Sequence, residues 1–123
     1  MRTFKFTSVL IGILVLLGAC STTTSNEIQH IAIFNLSYPE GSVEAVKFLE
    51  DGTRILTAIP VVKNFQAFQQ VSEKNDYQYG FSMVFANQED YNTYNIHPDH
   101  VAFVEERWMK EVTDFLEIDF KKP

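Results

Sequence analysis

Between residues 77 and 85 large and small side chains alternate without a break. Tyr77, Tyr79, Phe81, Met83 and Phe85 fall on one side, and Gln78, Gly80, Ser82 and Val84 on the other. A strand turns successive side chains to opposite faces, so this segment predicts a strand with a bulky face for a core. Its other face lets a neighbour come close over Gly80 and Ser82. Ile28–Leu36 repeats the alternation, with Ile28, His30, Ala32, Phe34 and Leu36 on one face and Gln29, Ile31, Ile33 and Asn35 on the other. Both of its faces carry apolar residues, which calls for cover on both sides.

The segments between these strands read as helices and turns. Tyr38-Pro39-Glu40-Gly41 is turn chemistry. Ser42 suits the cap of a helix with Glu44 in its first turn. Val43, Val46, Leu49, Ile55, Leu56 and Ile59 recur at roughly helical spacing. Gly52 predicts an imperfection near Asp51, since glycine costs a helix about 1 kcal/mol against alanine. Pro60 predicts its end. A strand is expected over 61–71, with Val61, Lys63, Phe65, Ala67, Gln69 and Val71 on one face, then a polar connection and the strand over 77–85 as a hairpin. Asn87 predicts the cap of a helix to about residue 95. His97-Pro98 breaks it, because a residue before proline avoids the helical region. A second helix over 99–112 carries the stripe Val101, Val104, Trp108 and Val112. Residues 115–120 close the chain as a strand. The order β-α-β-β-α-β is the ferredoxin-like α+β arrangement, an antiparallel sheet with helices on one side. The other side of the sheet would then bear either the Ile31/Ile33 or the Phe34/Leu36 set. An open apolar face of that kind calls for a partner, and a second copy is the simplest. The expectation is a homodimer closing a β core, a dimeric α/β barrel.

The N-terminal residues read as an address. Arg2 and Lys5 precede an apolar run that ends in Leu17-Gly18-Ala19-Cys20. A basic start, a short apolar stretch and small residues before a cut describe a secretory signal peptide. The last four residues resemble the lipobox of bacterial lipoproteins, which implies lipidation of Cys20 and loss of residues 1–19. Ser21 after the cysteine resembles an outer-membrane sorting signal, so the expected location is the bacterial envelope, facing the periplasm. Residues 20–27 read as a lipidated cysteine and a small polar tether, and 28–121 as the folded domain. Cleavage leaves eight basic against sixteen acidic residues. A domain this acidic has no basic face for nucleic acid and is not drawn to anionic lipid, so the membrane contact would come through lipid on Cys20. The single cysteine excludes an internal disulfide framework and a cysteine-rich zinc site.

Four segments carry a resemblance to a known family. They are Ile28-Gln29-His30-Ile31; residues 72–80, with Asn75-Asp76-Tyr77-Gln78-Tyr79-Gly80; residues 94–103, with His97-Pro98-Asp99-His100-Val101-Ala102-Phe103; and residues 115–120. Together they resemble the stress-responsive α/β-barrel (Dabb) family. The resemblance implies a dimeric ferredoxin-like barrel and no single function, and a plant member is a metal-free polyketide cyclase. In cyclase members the second histidine of the HPxH segment acts as base, a tyrosine six residues earlier assists, and a histidine of the first strand faces the same cavity. Those positions are His100, Tyr94 and His30.

Three readings follow. One is a ligand-binding envelope lipoprotein without catalysis, with no cofactor or metal and room for a small-molecule ligand. Another is a cofactor-free cyclase, isomerase or monooxygenase-like enzyme with His100 as general base and Tyr94 donating to a developing enolate oxygen. The third is a structural, stress-protective homodimer. A metal on His97, His100 and Asp99, with Glu105 or His30, is a weaker reading, because Pro98 restricts the loop and no zinc spacing is present. Glu105-Glu106, Glu117 and Asp119 read as solvated faces, and Asp99 as a helix cap.

Overall fold

A computed structural model describes residues 25–123. The expected signal peptide, Cys20 and most of the expected tether lie outside those residues. The described chain runs β1 (Ile28–Leu36), α1 (Val43–Thr57), β2 (Lys63–Gln69), β3 (Tyr79–Phe85), α2 (Gln88–Ile96), α3 (Pro98–Phe103), a π turn (Val104–Trp108), α4 (Met109–Glu111) and β4 (Val112–Phe120). The strands form one sheet in the order β2-β3-β1-β4, antiparallel throughout. This is the ferredoxin-like α+β fold expected from the sequence.

Register decides which side chains meet the helices. Ala32 of β1 pairs with Phe81 of β3 and with Glu117 of β4, and His30 pairs with Met83 and Asp119. The helix-side face therefore collects Ile28, His30, Ala32, Phe34 and Leu36 with Tyr79, Phe81, Met83 and Phe85, all of them buried. Phe34, Phe48 and Phe81 are at the centre, with ring centroids 5.0 to 6.2 Å apart. The opposite face carries Ile31 and Ile33, so of the two candidate sets it is this one that is left open. Around them stand Leu116 and Ile118, each directly across from one of them on β4, and Phe68, which lies across from Gly80.

Four local expectations are corrected. Helix α1 passes through Gly52 without a break. Gly52 faces the core, where a Cβ would lie 2.7 Å from Phe81 Cζ and 3.2 Å from Phe103 Cζ. The glycine is there for the close approach of helix and sheet. Strand β2 is shorter than 61–71 and carries a bulge between Lys63 and Gln66, with Asn64 in the left-handed region at φ 49°. The bulge breaks the expected face: Lys63 stands opposite Val84 on the open side, whereas Ala67 stands opposite Phe81 on the helix side. Val71 lies beyond the strand and is exposed. The expected helix over 99–112 is interrupted by the π turn, in which the Met109 N–H reaches back five residues to the Val104 carbonyl. It ends at Glu111, so Val112 opens β4 and the closing strand starts three residues before 115. Finally, His97 and not Asp99 caps α3: its Nδ1 accepts from the Asp99 backbone N–H at 3.2 Å, and Pro98 follows in the first turn.

Candidate functional site

Between the helix face of the sheet and the α2–α3–π segment lies a half-open cavity of about 530 Å³. That size lies in the range that holds small organic ligands. Its walls are mostly apolar, with Phe81, Met83, Phe103 and Trp108 prominent, and its polar groups are His30, Tyr94, Asn95, His100 and Glu117. The three residues singled out from the sequence, His30, Tyr94 and His100, thus line one space.

Helix capping places two of them. Asn87 accepts from the Asp90 N–H at 2.8 Å and starts α2, which carries Tyr94 inward near its end. The break at His97-Pro98 then restarts the chain, and His100 falls back over Tyr94 with ring centroids 4.1 Å apart. The His100 Nδ1 lies 3.2 Å from the Asn95 carbonyl oxygen. A carbonyl only accepts, so Nδ1 carries the proton and the neutral ring keeps its lone pair on Nε2. Burial lowers the His100 pKa, and the nearby His30 acts in the same direction, against the Asn95 carbonyl and Glu117. The neutral ring is favoured.

Tyr94 is 3% exposed, yet its hydroxyl has no hydrogen-bond partner among the described residues. Every side-chain nitrogen or oxygen sealed away from solvent does have one. The hydroxyl therefore opens onto the cavity that the residue lines. Burial first, then the charge of Glu117, holds the phenol well above its ordinary pKa, so it stays a donor.

His30 is built differently. Its Nδ1 lies 2.6 Å from Asp119 Oδ1, and Asp119 Oδ2 accepts from the Tyr91 hydroxyl at 2.9 Å. The carboxylate receives the imidazole N–H and so fixes the ring's orientation from behind. Burial, followed by the bond to Asp119, lifts the Tyr91 phenol to about 12. Tyr91 and Tyr94 flank the His30 ring at 5.4 and 6.1 Å.

Sequence reasoning missed Asp119, Glu117 and Tyr91. Glu117 and Asp119 are exposed, as the sequence suggests, but β4 also alternates Phe115, Glu117 and Asp119 onto the helix side, beside β1. The signal was available: a fold with β4 next to β1 brings every second residue of β4 to the cavity. Tyr91 sits three residues before Tyr94, on the same face of α2. His97 is not part of the cavity lining. Among the described residues no three His, Cys, Asp or Glu side chains gather as a metal ion would require. Of the aromatic set, Tyr79 and Phe85 are core, and Phe81 and Trp108 also line the cavity. No described helix is long and apolar enough to cross a membrane.

A four-stranded antiparallel sheet with helices on one face and a cavity beneath them defines the ferredoxin-like class. The family model of the stress-responsive A/B barrel domain, Dabb, matches residues 28–122, and the chain belongs to that family. A Dabb family protein with a ferredoxin-like fold from Mesorhizobium loti is 48% identical, with a TM-score of 0.77 over 79% of this chain and 97% of that one. A dimeric protein of unknown function from Bacteroides fragilis shares the fold at 18% identity and a TM-score of 0.62, over 80% of this chain and 99% of its own. The hydroxynitrile lyase of Passiflora edulis does so at 11% identity and a TM-score of 0.68, over 80% of this chain and 95% of that one. Among curated proteins none matches the chain.

Proposed function

We propose that this chain is an envelope lipoprotein, anchored through Cys20, whose homodimeric barrel binds a small, largely apolar molecule in the cavity beside His100. The observation that carries the reading is Tyr94: a ring buried in the core whose hydroxyl is held protonated, opens to the cavity and has no protein partner. A ligand oxygen in the cavity can accept from it in place of water. The lipobox residues support the anchor. The apolar open face supports the dimer, and the Bacteroides fragilis relative of the same fold is described as dimeric.

The test is native mass spectrometry of residues 25–123. The Mesorhizobium loti relative consists almost wholly of the matched region, which supports folding of this span alone. A dimer carrying extra mass from a small molecule is expected, and Tyr94→Phe should lose that mass while keeping its melting temperature. A protein that binds no apolar probe in any form sinks the reading. Labelling of Cys20 by a lipid precursor in cells checks the anchor.

A second reading is favoured by the pinned His100. A neutral imidazole with its Nδ1–H held by Asn95 leaves Nε2 to remove a proton from carbon next to a carbonyl. The Tyr94 hydroxyl then donates a hydrogen bond to the enolate oxygen. Exchange of α-protons of a bound ketone into deuterated water, lost in His100→Ala with folding intact, is the expected sign of it. Equal exchange in both proteins removes it.

A further inference from the structure

We infer that Glu117 sets the charge of the ligand: the cavity takes an apolar compound with a neutral or protonated-amine head and refuses the isosteric carboxylate. The inference rests on the cavity being a ligand site.

The charges around the cavity are one-sided. Glu117 lines it from the edge strand, beside Ala32 of β1, and no lysine or arginine is among the described residues lining it. The cation nearest in sequence to the Trp108 wall, Arg107, is already committed. It donates to Asp51 Oδ2 at 2.7 Å and to the Glu111 carboxylate, and lies over the Phe48 ring at 5.5 Å. Asp119 adds a second carboxylate behind His30, engaged by His30 and Tyr91. The other polar groups do not offset this. His100 favours its neutral form, and Tyr94 keeps its proton.

Glu117 is itself exposed, so water screens part of its charge, but the apolar walls strip hydration from a ligand head placed beside it. An incoming carboxylate would lose hydration and meet a like charge, with no cation to receive it. A protonated amine would find Glu117 and the aromatic walls, both of which attract cations. A ketone is indifferent to the charge and can accept from Tyr94. The Tyr94 hydroxyl, open to the cavity and without a protein partner, is an independent donor for a ligand in this space.

Three probes of one shape separate the outcomes: phenylbutanone, phenylbutylamine and phenylbutanoate, titrated by ligand-observed NMR against residues 25–123. The amine is expected to bind at least as well as the ketone, and the carboxylate about tenfold more weakly than the ketone or worse. Glu117→Gln should bring the carboxylate within about threefold of the ketone, and Glu117→Lys should reverse the order of amine and carboxylate. Glu106→Gln removes one acid from the exposed π turn and should leave the order unchanged. If it shifts the order as Glu117→Gln does, the net charge of the chain is responsible and the assignment fails. Carboxylate binding equal to ketone binding in the parent protein overturns the inference and leaves the cavity reading standing. Binding of none of the three overturns both.

Discussion

His30 of β1 and Asp119 of β4 face each other as a cross-strand pair, with Nδ1 2.6 Å from Oδ1, and the second carboxylate oxygen holds the Tyr91 hydroxyl of α2. One side chain on an edge strand thus ties together the central strand and the helix that carries Tyr94. Histidine is uncommon in a buried position, and this one, 4% exposed, is tolerated because its inner nitrogen is satisfied.

Removing that carboxylate leaves His30 and Tyr91 without their shared acceptor. Asp119→Ala should lower stability in urea by about 1 to 2 kcal/mol, a range held down because the carboxylate is 40% exposed. His30→Phe with Asp119→Asn should recover part of the loss, since two compatible apolar or neutral groups replace a broken pair. A single mutant as stable as the parent would show that solvent already satisfies His30.

Gly52 gives a prediction with a sign. Helix propensity alone makes Gly52→Ala stabilising by about 1 kcal/mol. The new methyl would meet Phe81 Cζ at 2.7 Å, and that ring is wedged among Phe34, Phe48 and Phe65. Overpacking of this kind costs about 1 to 3 kcal/mol, so the net effect expected is a loss of about 1 kcal/mol. A raised melting temperature would mean that Phe81 can move, and with it the wall of the cavity.

His100 predicts a pH dependence. Burial lowers its pKa below the ordinary histidine value of 6.5. The unfolded chain therefore takes up its proton at a higher pH than the folded one. The contribution to stability is complete above about pH 6.5 and is lost progressively as the pH falls through the folded value. Denaturation curves between pH 5 and 8 should show stability rising with pH, with a smaller slope in His100→Gln. Identical slopes would place the titration elsewhere.

The proposed dimer rests on the open face, where Ile33 stands across from Leu116 on one side and Gly80 on the other. Ile33→Glu would bury a carboxylate against a second sheet at a cost of several kcal/mol. Sedimentation should find the parent as a dimer and the variant as a folded monomer. A monomeric parent would remove the dimer altogether.

The architecture was legible because it is written in two periodicities. The alternation in β1 and β3 and the turn chemistry at 38–41 and 97–98 suffice for strand, helix and order. What was not legible has a common cause: each case depends on a neighbour distant in sequence. Gly52 looks like a flaw until Phe81 is seen beneath it. The bulge at Asn64 flips a face that alternation alone assigns wrongly. Val112 fits a helical stripe equally well as the first residue of a strand. Asp119 is solvated as it looks, but its bond to His30 is hidden until β4 is known to lie against β1. His30, Tyr94 and His100 came to attention through family resemblance. The groups that tune them did not, because their roles follow from register.

The π turn holds one residue more than an α-helical turn would, and its last residue, Trp108, forms a wall of the cavity with Met109, which follows it. Deleting one residue there would let the turn close with ordinary helical bonds and swing that wall through about 100°. The sheet, the caps and the polar groups would keep their places. The bore of the cavity is thus adjustable by a single codon, independently of the chemistry along its floor, which makes this turn the place to look first when members of the family differ in what they hold.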